Sequence, residues 1–132
     1  MHTVLPLASM PEDIVPSLLS HINSLNADVM LGFYEPGAML VGADGVPHKG
    51  RDRIRAELER YFSYRLPMTI KARHIFVAGD IASLVLDWSI CGVAPDGTEV
   101  NMVATANDIA RRGSDGLWRY LIDNPFGTAL RA

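Results

Sequence analysis

Apolar residues recur every three to four positions in two stretches of the chain, which is typical of helices that bury one face. The first stretch covers residues 12–25, and the second covers residues 51–64 and ends before Pro67. Pro16 fits the first helix best if the regular helix begins a few residues before it, because proline has no N–H to donate. The apolar stripes consist of Ile14, Leu18, Ile22 and Leu25 in the first helix and Ile54, Leu58, Tyr61 and Phe62 in the second.

A short helix and a hairpin are predicted between the two long helices. Asp28 is a suitable N-cap for a helix that continues to about Phe33. Residues 35–37, Glu-Pro-Gly, are typical of a turn. The apolar run 38–41 is followed by Asp44-Gly45, a dipeptide that favours a hairpin.

Extended stretches with turn residues between them fill the rest of the chain, and they cover residues 68–78, 81–93, 98–112 and 117–123. Gly79-Asp80 separates the first two of these stretches. Helices that precede a meander of antiparallel strands pack on one face of the sheet. The pattern therefore predicts an α+β fold with the long helices on a curved antiparallel sheet.

Alternate residues of a strand point to opposite faces of the sheet. The even-numbered positions of the long strands are mostly apolar, so we expect them to face the helices; His74 and Asp108 are the polar exceptions. A histidine or a carboxylate on an apolar face costs free energy unless it is paired, hydrogen-bonded or wetted by a cavity. These two residues are therefore the candidate catalytic residues.

His74 and Asp108 allow two interpretations, a general acid–base pair or a buried polar pair that serves the fold. The strand 81–93 separates their strands, so a spacing of about 4.8 Å per strand puts them roughly 9–10 Å apart. A shared ligand or water then fits better than direct contact. Small alanines beside Asp108 leave space for a cavity, where desolvation raises the pKa of a carboxyl group. We expect Asp108 to accept a proton or to donate a hydrogen bond there.

Aromatic residues near this pair are candidate walls of a pocket for an apolar ligand, with plain core packing as the alternative for each. They are Trp88, Trp118, Tyr120, Tyr34, Tyr61 and Phe76. In the last strand the alternation places Ile122 inward and Asp123 outward, and Asp123-Asn124 before Pro125 is typical of a turn.

The opposite sheet face is too apolar for simple exposure to solvent, so we expect a second copy of the chain to cover it. The residues expected near this interface are Ile75, Val85, Asp87, Ser89, Val103 and Thr105.

Composition narrows the function classes. The chain has 132 residues, which is the length of a single domain covering 1–132, and a formal net charge of −3, which disfavours nucleic acid as a partner. Its single cysteine, Cys91, excludes an internal disulfide and a multi-cysteine zinc site, and a cytoplasmic location is expected. No metal or cofactor motif occurs, and we expect no signal peptide, no membrane span and a soluble protein.

Three stretches resemble the nuclear transport factor 2-like superfamily, which includes ketosteroid isomerase, scytalone dehydratase, limonene epoxide hydrolase and the polyketide cyclases. They are Asn-Ala-Asp-Val at 26–29 running to Phe-Tyr-Glu-Pro-Gly-Ala at 33–38, Gly-Arg-Asp-Arg-Ile at 50–54, and Asp-Gly-Leu-Trp-Arg at 115–119 with Ile-Asp-Asn-Pro-Phe-Gly at 122–127. The last block is similar to that of small stand-alone bacterial domains. The resemblance implies a cystatin-like cone with an internal pocket, and dimers through the outer sheet face.

The chain departs from the isomerase pattern of that superfamily. Gly42 stands where the isomerase has its catalytic aspartate, with Asp44 two residues later, and the first helix has no tyrosine. The acid of the isomerase oxyanion hole corresponds to Asn107 or Asp108, of which the strand alternation favours Asp108. Isomerase activity itself is therefore not implied.

Two functions from different classes remain. One is proton-transfer catalysis on a hydrophobic small molecule, that is, an isomerase, dehydratase or cyclase. The other is a non-catalytic module that binds a small molecule or a protein partner. Catalysis requires a cavity carboxylate or histidine that solvent can reach, whereas pure binding is expected to leave the polar groups of the pocket satisfied internally.

Overall fold

Three α-helices and six strands make up the part of the chain that the computed structural model describes, residues 4–129. The helices are α1 (Ile14–Ile22), which follows a 3-10 turn at Pro11–Asp13, α2 (Ala27–Leu31) and α3 (Arg51–Phe62). The strands are β1 (Tyr34–Val41), β2 (Pro47–Lys49), β3 (Thr69–Ala78), β4 (Ile81–Val93), β5 (Glu99–Arg112) and β6 (Trp118–Asp123). This is the predicted α+β cone, in which a curved sheet wraps the helices.

The residues at the N-terminal ends of α1 and α2 explain where these helices begin. Pro16 is the third residue of α1, where its missing N–H breaks no helical bond because the first turn of a helix has no internal acceptor. At α2, Asn26 is the cap, and its side-chain oxygen accepts from the N–H groups of Asp28 and Val29. The prediction of Asp28 as the cap was therefore wrong, and Asp28 instead pairs with Arg55 of α3.

The sheet order is β2-β1-β6-β5-β4-β3, with β1 and β6 running parallel and every other neighbouring pair antiparallel. The sheet is therefore mixed rather than wholly antiparallel as expected. The parallel pair matters for the site because it brings the N-terminal half of the chain beside the last strand. Tyr34 is the register partner of Tyr120, and Leu40 is the partner of Asp123.

A β-bulge in β3 reverses which residues of that strand face the helices. Ala72 pairs with Leu86 of the inner face, but His74 pairs with Val85, so Arg73 is the extra residue. Beyond the bulge Ile75 turns inward and packs against the core. The prediction that even-numbered residues face the helices was therefore wrong for the second half of β3. Ile75, which was predicted on the outer face, lies on the inner face.

A second irregularity lies between β5 and β6. Ile109 pairs with Ile122 and Ala110 pairs with Tyr120, so Leu121 is the extra residue. Asp123, predicted to point outward, is consequently buried on the inner face. This bulge adds a carboxyl group to the inner face next to the one on β5.

Candidate active site

The helices and the inner sheet face enclose a cavity of about 40 Å³, lined mainly by apolar side chains. One water needs roughly 10–15 Å³ of such space, so the cavity has room for only a few waters. The carboxyl and hydroxyl groups on its wall belong to Tyr61, Asp108, Tyr120 and Asp123. Its apolar wall includes Leu18 of α1, Leu58 of α3 and Leu86 of β4.

Asp108 is held on β5 by two donors from the β6 region. The Tyr120 hydroxyl donates to Asp108 Oδ2 over 2.6 Å, and the Asn124 backbone N–H donates to Asp108 Oδ1 over 2.7 Å. Asp108 and Tyr120 are each at most 2% exposed. Both oxygens of this carboxyl group are thus fixed in a site that water scarcely reaches.

Asp123 completes a pair of carboxyl groups. The Tyr34 hydroxyl donates to Asp123 Oδ2 over 2.5 Å, and Asp123 and Asp108 hydrogen-bond to one another. Two carboxylates within hydrogen-bonding distance cannot both remain ionised without a large repulsion, so one proton shared between them is the favourable state. We call Asp108 and Asp123 the carboxyl dyad.

The protonation of the dyad follows from its surroundings. Burial raises the pKa of Asp108 to about 6, and the hydrogen bonds from Tyr120 and Asn124 oppose a larger rise. Burial also raises the pKa of Asp123 well above its usual range, and the negative charge of Asp108 adds to that rise. Near neutral pH, Asp123 therefore holds the proton and Asp108 is the acceptor. Burial raises the pKa values of Tyr34 and Tyr120 as well, so both hydroxyls stay protonated.

The segment that follows β6 contributes to the cavity wall. Pro125 lines the cavity, and its carbonyl oxygen accepts a hydrogen bond of 2.7 Å from Trp88 Nε1. The Phe126 ring packs edge-on against Trp88 with the centroids 5.3 Å apart. At Gly127, a Cβ atom would lie 2.8 Å from Asn107 Cβ and 3.0 Å from the Asn107 backbone nitrogen. Glycine thus allows this segment to lie against β5.

The aromatic residues proposed from the sequence divide into three groups. Trp88, Tyr120 and Tyr61 line the cavity. Tyr34 reaches the dyad through its hydroxyl. Trp118 faces inward as expected, but it lies at the other end of β6, where Arg112 covers its ring at 5.8 Å. Its role as a pocket wall is therefore not supported by its position.

His74 and Phe76 lie outside the cavity. The bulge at Arg73 directs both side chains to the outer face, where their rings stack with the centroids 5.3 Å apart, and Phe76 is 63% exposed. The expected pairing of His74 with Asp108 across a shared ligand was therefore wrong. The group that shares a site with Asp108 is Asp123.

Sequence reasoning missed Asp123 because its alternation was counted without the bulge at Leu121. The hint in the sequence is the order Asp123-Asn124-Pro125 at a strand end, which we interpreted as a turn. These residues do end the strand, as expected of a turn, and the Asn124 N–H also donates a hydrogen bond to Asp108.

Among residues 4–129, no three or more histidine, cysteine, aspartate or glutamate side chains are grouped so that they could hold a metal ion. The helices described there are all too short or too polar to cross a membrane. The chemistry that the site offers from its own residues is proton transfer and hydrogen bonding.

With this fold and site, the chain matches the model of the SnoaL-like domain family over residues 16–121, and it belongs to that family. The family lies within the nuclear transport factor 2-like superfamily, which includes isomerases and cyclases. Among curated proteins, none matches the chain significantly.

Solved structures share the fold at low sequence identity. A proposed calcium/calmodulin-dependent protein kinase II association domain of Xanthomonas campestris is 13% identical with a TM-score of 0.74, over 94% of this chain and 95% of that one. A nuclear transport factor 2-like protein of Salmonella enterica is 17% identical with a TM-score of 0.65, over 85% and 86%. A domain of unknown function with a cystatin-like fold from Nostoc punctiforme is 16% identical with a TM-score of 0.63, over 86% and 72%.

Proposed function

We propose that the protein is a proton-transfer enzyme that acts on a hydrophobic small molecule, as an isomerase, dehydratase or cyclase does. The observation that carries the proposal is the carboxyl dyad on the wall of an apolar cavity. Buried acids with displaced pKa values occur preferentially at functional sites, because a fold alone is served as well by neutral side chains. A carboxyl group with a pKa of about 6 is well matched to general base catalysis near neutral pH.

The dyad has separate roles for its two members. Asp108, the ionised member, removes a proton from a carbon next to a carbonyl group of the ligand. Asp123 turns its proton from Asp108 to the carbonyl oxygen and stabilises the negative charge that develops there. Asp108 then returns the proton to the same or another carbon, so no proton is gained or lost in an isomerisation. Tyr34 and Tyr120 hold the two carboxyl groups in place.

A non-catalytic binding module is the second candidate, and two observations favour it. Asp108 is only 2% exposed, and Tyr120, Asn124 and Tyr34 of the protein itself donate hydrogen bonds to the dyad, as expected of a pocket that only binds. The contrary observation is that, within residues 4–129, the ion pairs of the arginines go to acids outside the dyad. Arg111 pairs with Glu35, and Arg73 pairs with Asp87 on the outer face. Asp108 therefore retains a titratable carboxyl group that faces the cavity.

The test is deuterium exchange of protons next to the carbonyl group of small acyclic ketones, acetone and 2-butanone, followed by NMR in D2O near pH 7. We expect the wild-type protein to accelerate exchange above the buffer rate. Asp108→Asn removes the proton acceptor and is expected to return exchange to that rate. His74→Ala serves as the matched control, because His74 lies on the outer face and its loss should leave exchange unchanged. Equal rates for wild type and Asp108→Asn would favour the binding module.

We further propose that the outer face of β3, β4 and β5 associates with a second copy of the chain. Phe76 is 63% exposed and Val103 is 73% exposed, and an apolar surface of this kind is typical of an interaction site. Asp87 holds Arg73 and Thr105 on the same face, which fixes polar groups between the apolar ones. The same strands carry the inner wall of the cavity, so association would stiffen it.

Light scattering after size exclusion should give twice the 14.5 kDa chain mass at tens of micromolar. Val103→Lys places a charge on the apolar surface, so it is expected to shift the protein to the monomer mass. Val46→Lys, an exposed valine in the turn between β1 and β2, is the control and should keep the dimer. A monomeric wild type under these conditions would count against the proposal.

A further inference from the structure

A second, larger cavity lies next to the first. Its volume is about 360 Å³, compared with about 40 Å³ for the cavity that the dyad lines. Tyr61 lines both cavities, and Phe126 lines the larger one while packing against Trp88 of the smaller. A layer of aromatic side chains thus separates the two. We call the larger cavity the outer groove; the charged and aromatic residues of its wall are Asp44, His48, Glu57, Arg60, Tyr61, Tyr64 and Phe126.

Tyr61 forms the partition between the dyad and the outer groove. Its ring meets Trp88 edge-on at a centroid distance of 6.4 Å. Burial raises the pKa of Tyr61, and its interactions with Asp123 of the dyad and with Glu57 of the groove add to the rise. Tyr61 and Glu57 are therefore one turn apart on α3, with Tyr61 in the wall of the small cavity and Glu57 in the wall of the groove.

The small cavity is too small for a cyclic substrate as it stands. An apolar cavity of about 150 Å³ is the size that accommodates benzene. Because Tyr61 lines both spaces, its side chain is the group that has to move for them to join. A ligand in the joined site would place one end beside the dyad and the other end in the outer groove.

The outer groove carries acceptors beside aromatic rings. Glu57 is 14% exposed in its side chain, and its Oε1 lies 3.4 Å from both His48 Nε2 and Arg60 Nη1. Arg60 also lines the groove, but its side chain is 79% exposed, so solvent screens its charge, whereas Glu57 is largely covered.

The second carboxylate of the groove is Asp44, an exposed residue in the turn between β1 and β2, whose Oδ1 accepts from the Val46 N–H over 3.0 Å and whose Oδ2 is the atom open to a ligand. A Cβ atom at Gly42 would lie 2.9 Å from Asp44 Oδ1 and 3.3 Å from His48 Nε2, so both side chains converge over this glycine. Tyr61, Tyr64 and Phe126 supply aromatic rings to the same groove. Carboxylates combined with aromatic rings attract an ammonium group through charge and through the electron-rich ring faces.

We propose that the small cavity and the outer groove form one binding site for an amphipathic amine. Its apolar body enters the small cavity beside the dyad, and its ammonium group lies in the outer groove between Asp44 and Glu57. The inference names the substrate class of the proposed enzyme and rests on that function only in placing the reacting carbon at the dyad. The binding preference itself does not depend on turnover.

The experiment is calorimetric titration of the full chain at pH 7 with three probes that differ at one end: 4-phenylbutylamine, 4-phenylbutanol and 4-phenylbutanoate. We expect the amine to bind at least about tenfold more tightly than the carboxylate, with the alcohol between them; tenfold corresponds to about 1.4 kcal/mol. Glu57→Gln keeps the shape of the side chain and removes its charge, so it should reduce the ratio of amine to carboxylate affinity at least about threefold.

Glu59→Gln is the matched control, since Glu59 lies on the same helix, is exposed and makes the same change of net charge. It should leave the preference unchanged. Equal effects of the two substitutions, equal affinity for amine and carboxylate, or no binding of any probe would each overturn the inference. Asp108→Asn separates it from the proposed function, because this variant should lose ketone exchange yet keep the amine preference. Circular dichroism of each variant establishes that it is folded.

Discussion

Asp123→Asn is expected to make the protein more stable at pH 8 and at the same time to remove its exchange activity. The asparagine amide can donate to Asp108 as the protonated Asp123 does, and its carbonyl oxygen can accept from the Tyr34 hydroxyl. The substitution therefore imitates the proton-holding state of the dyad permanently. What it removes is the transferable proton, and loss of general acid–base catalysis typically costs about 10²–10⁴-fold in rate.

The stability change depends on pH in a direction that follows from the raised pKa. In the unfolded chain Asp123 titrates near 3.8, whereas in the folded protein its pKa is well above that value. The folded state then binds more protons, so the free energy of unfolding of the wild type falls as the pH rises above about 4, by about 1.4 kcal/mol per pH unit for each such group. The asparagine side chain does not titrate, so the variant should gain stability over wild type as the pH rises, with almost no gain at pH 4 and the largest gain at pH 8.

Urea unfolding of both proteins between pH 4 and pH 8 measures this difference. Asp115→Asn is a control of opposite sign, since the hydrogen bonds from Arg119 lower the pKa of the exposed Asp115. That variant should show no gain at pH 8. Parallel stability curves for wild type and Asp123→Asn would mean that Asp123 is ionised in the folded protein, and the proposed division of roles in the dyad would be wrong.

The order of elements was predictable because each one leaves a local pattern. The stripe that begins with Ile14 and Leu18 predicts α1, and Pro67 marks the end of the second long helix. The regular alternation along β4 also identified its inner face correctly, including Trp88. Such patterns depend on residues two to four positions apart, which the sequence displays directly.

The face of His74 and the face of Asp123 could not be predicted, because each depends on one inserted residue in a strand pair. Nothing about Arg73 or Leu121 distinguishes a bulged residue from a regular one. A bulge shifts every later side chain to the opposite face. It thereby removed His74 from the candidate site and brought in Asp123. Asp108 was found because β5 pairs with β4 without interruption over its whole length.

Phe33→Ala is expected to reduce the free energy of unfolding by about 3–5 kcal/mol, which is the usual cost of deleting a buried phenylalanine ring. Phe33 is 1% exposed, and its ring packs edge-on against Tyr120 at 5.0 Å and, tilted, against His21 at 5.1 Å. Its carbonyl oxygen also accepts the Tyr120 backbone N–H over 2.8 Å. Loss of the ring therefore leaves a cavity behind the tyrosine that holds Asp108, and exchange activity should fall as well.

Phe76→Ala is the matched control, because it removes the same ring from the outer face. Phe76 is 63% exposed, so its loss should change the free energy of unfolding of the monomer by no more than about 0.5 kcal/mol. Urea unfolding over a dilution series separates this value from any effect on association through the same face. If the two substitutions reduce the free energy of unfolding equally, Phe76 would have to be buried in the monomer. The placement of the bulge at Arg73, which turns Phe76 outward, would then be wrong. A large loss of stability for Phe33→Ala alone, together with reduced exchange activity, would mean that the ring behind Tyr120 supports both the fold and the carboxyl dyad.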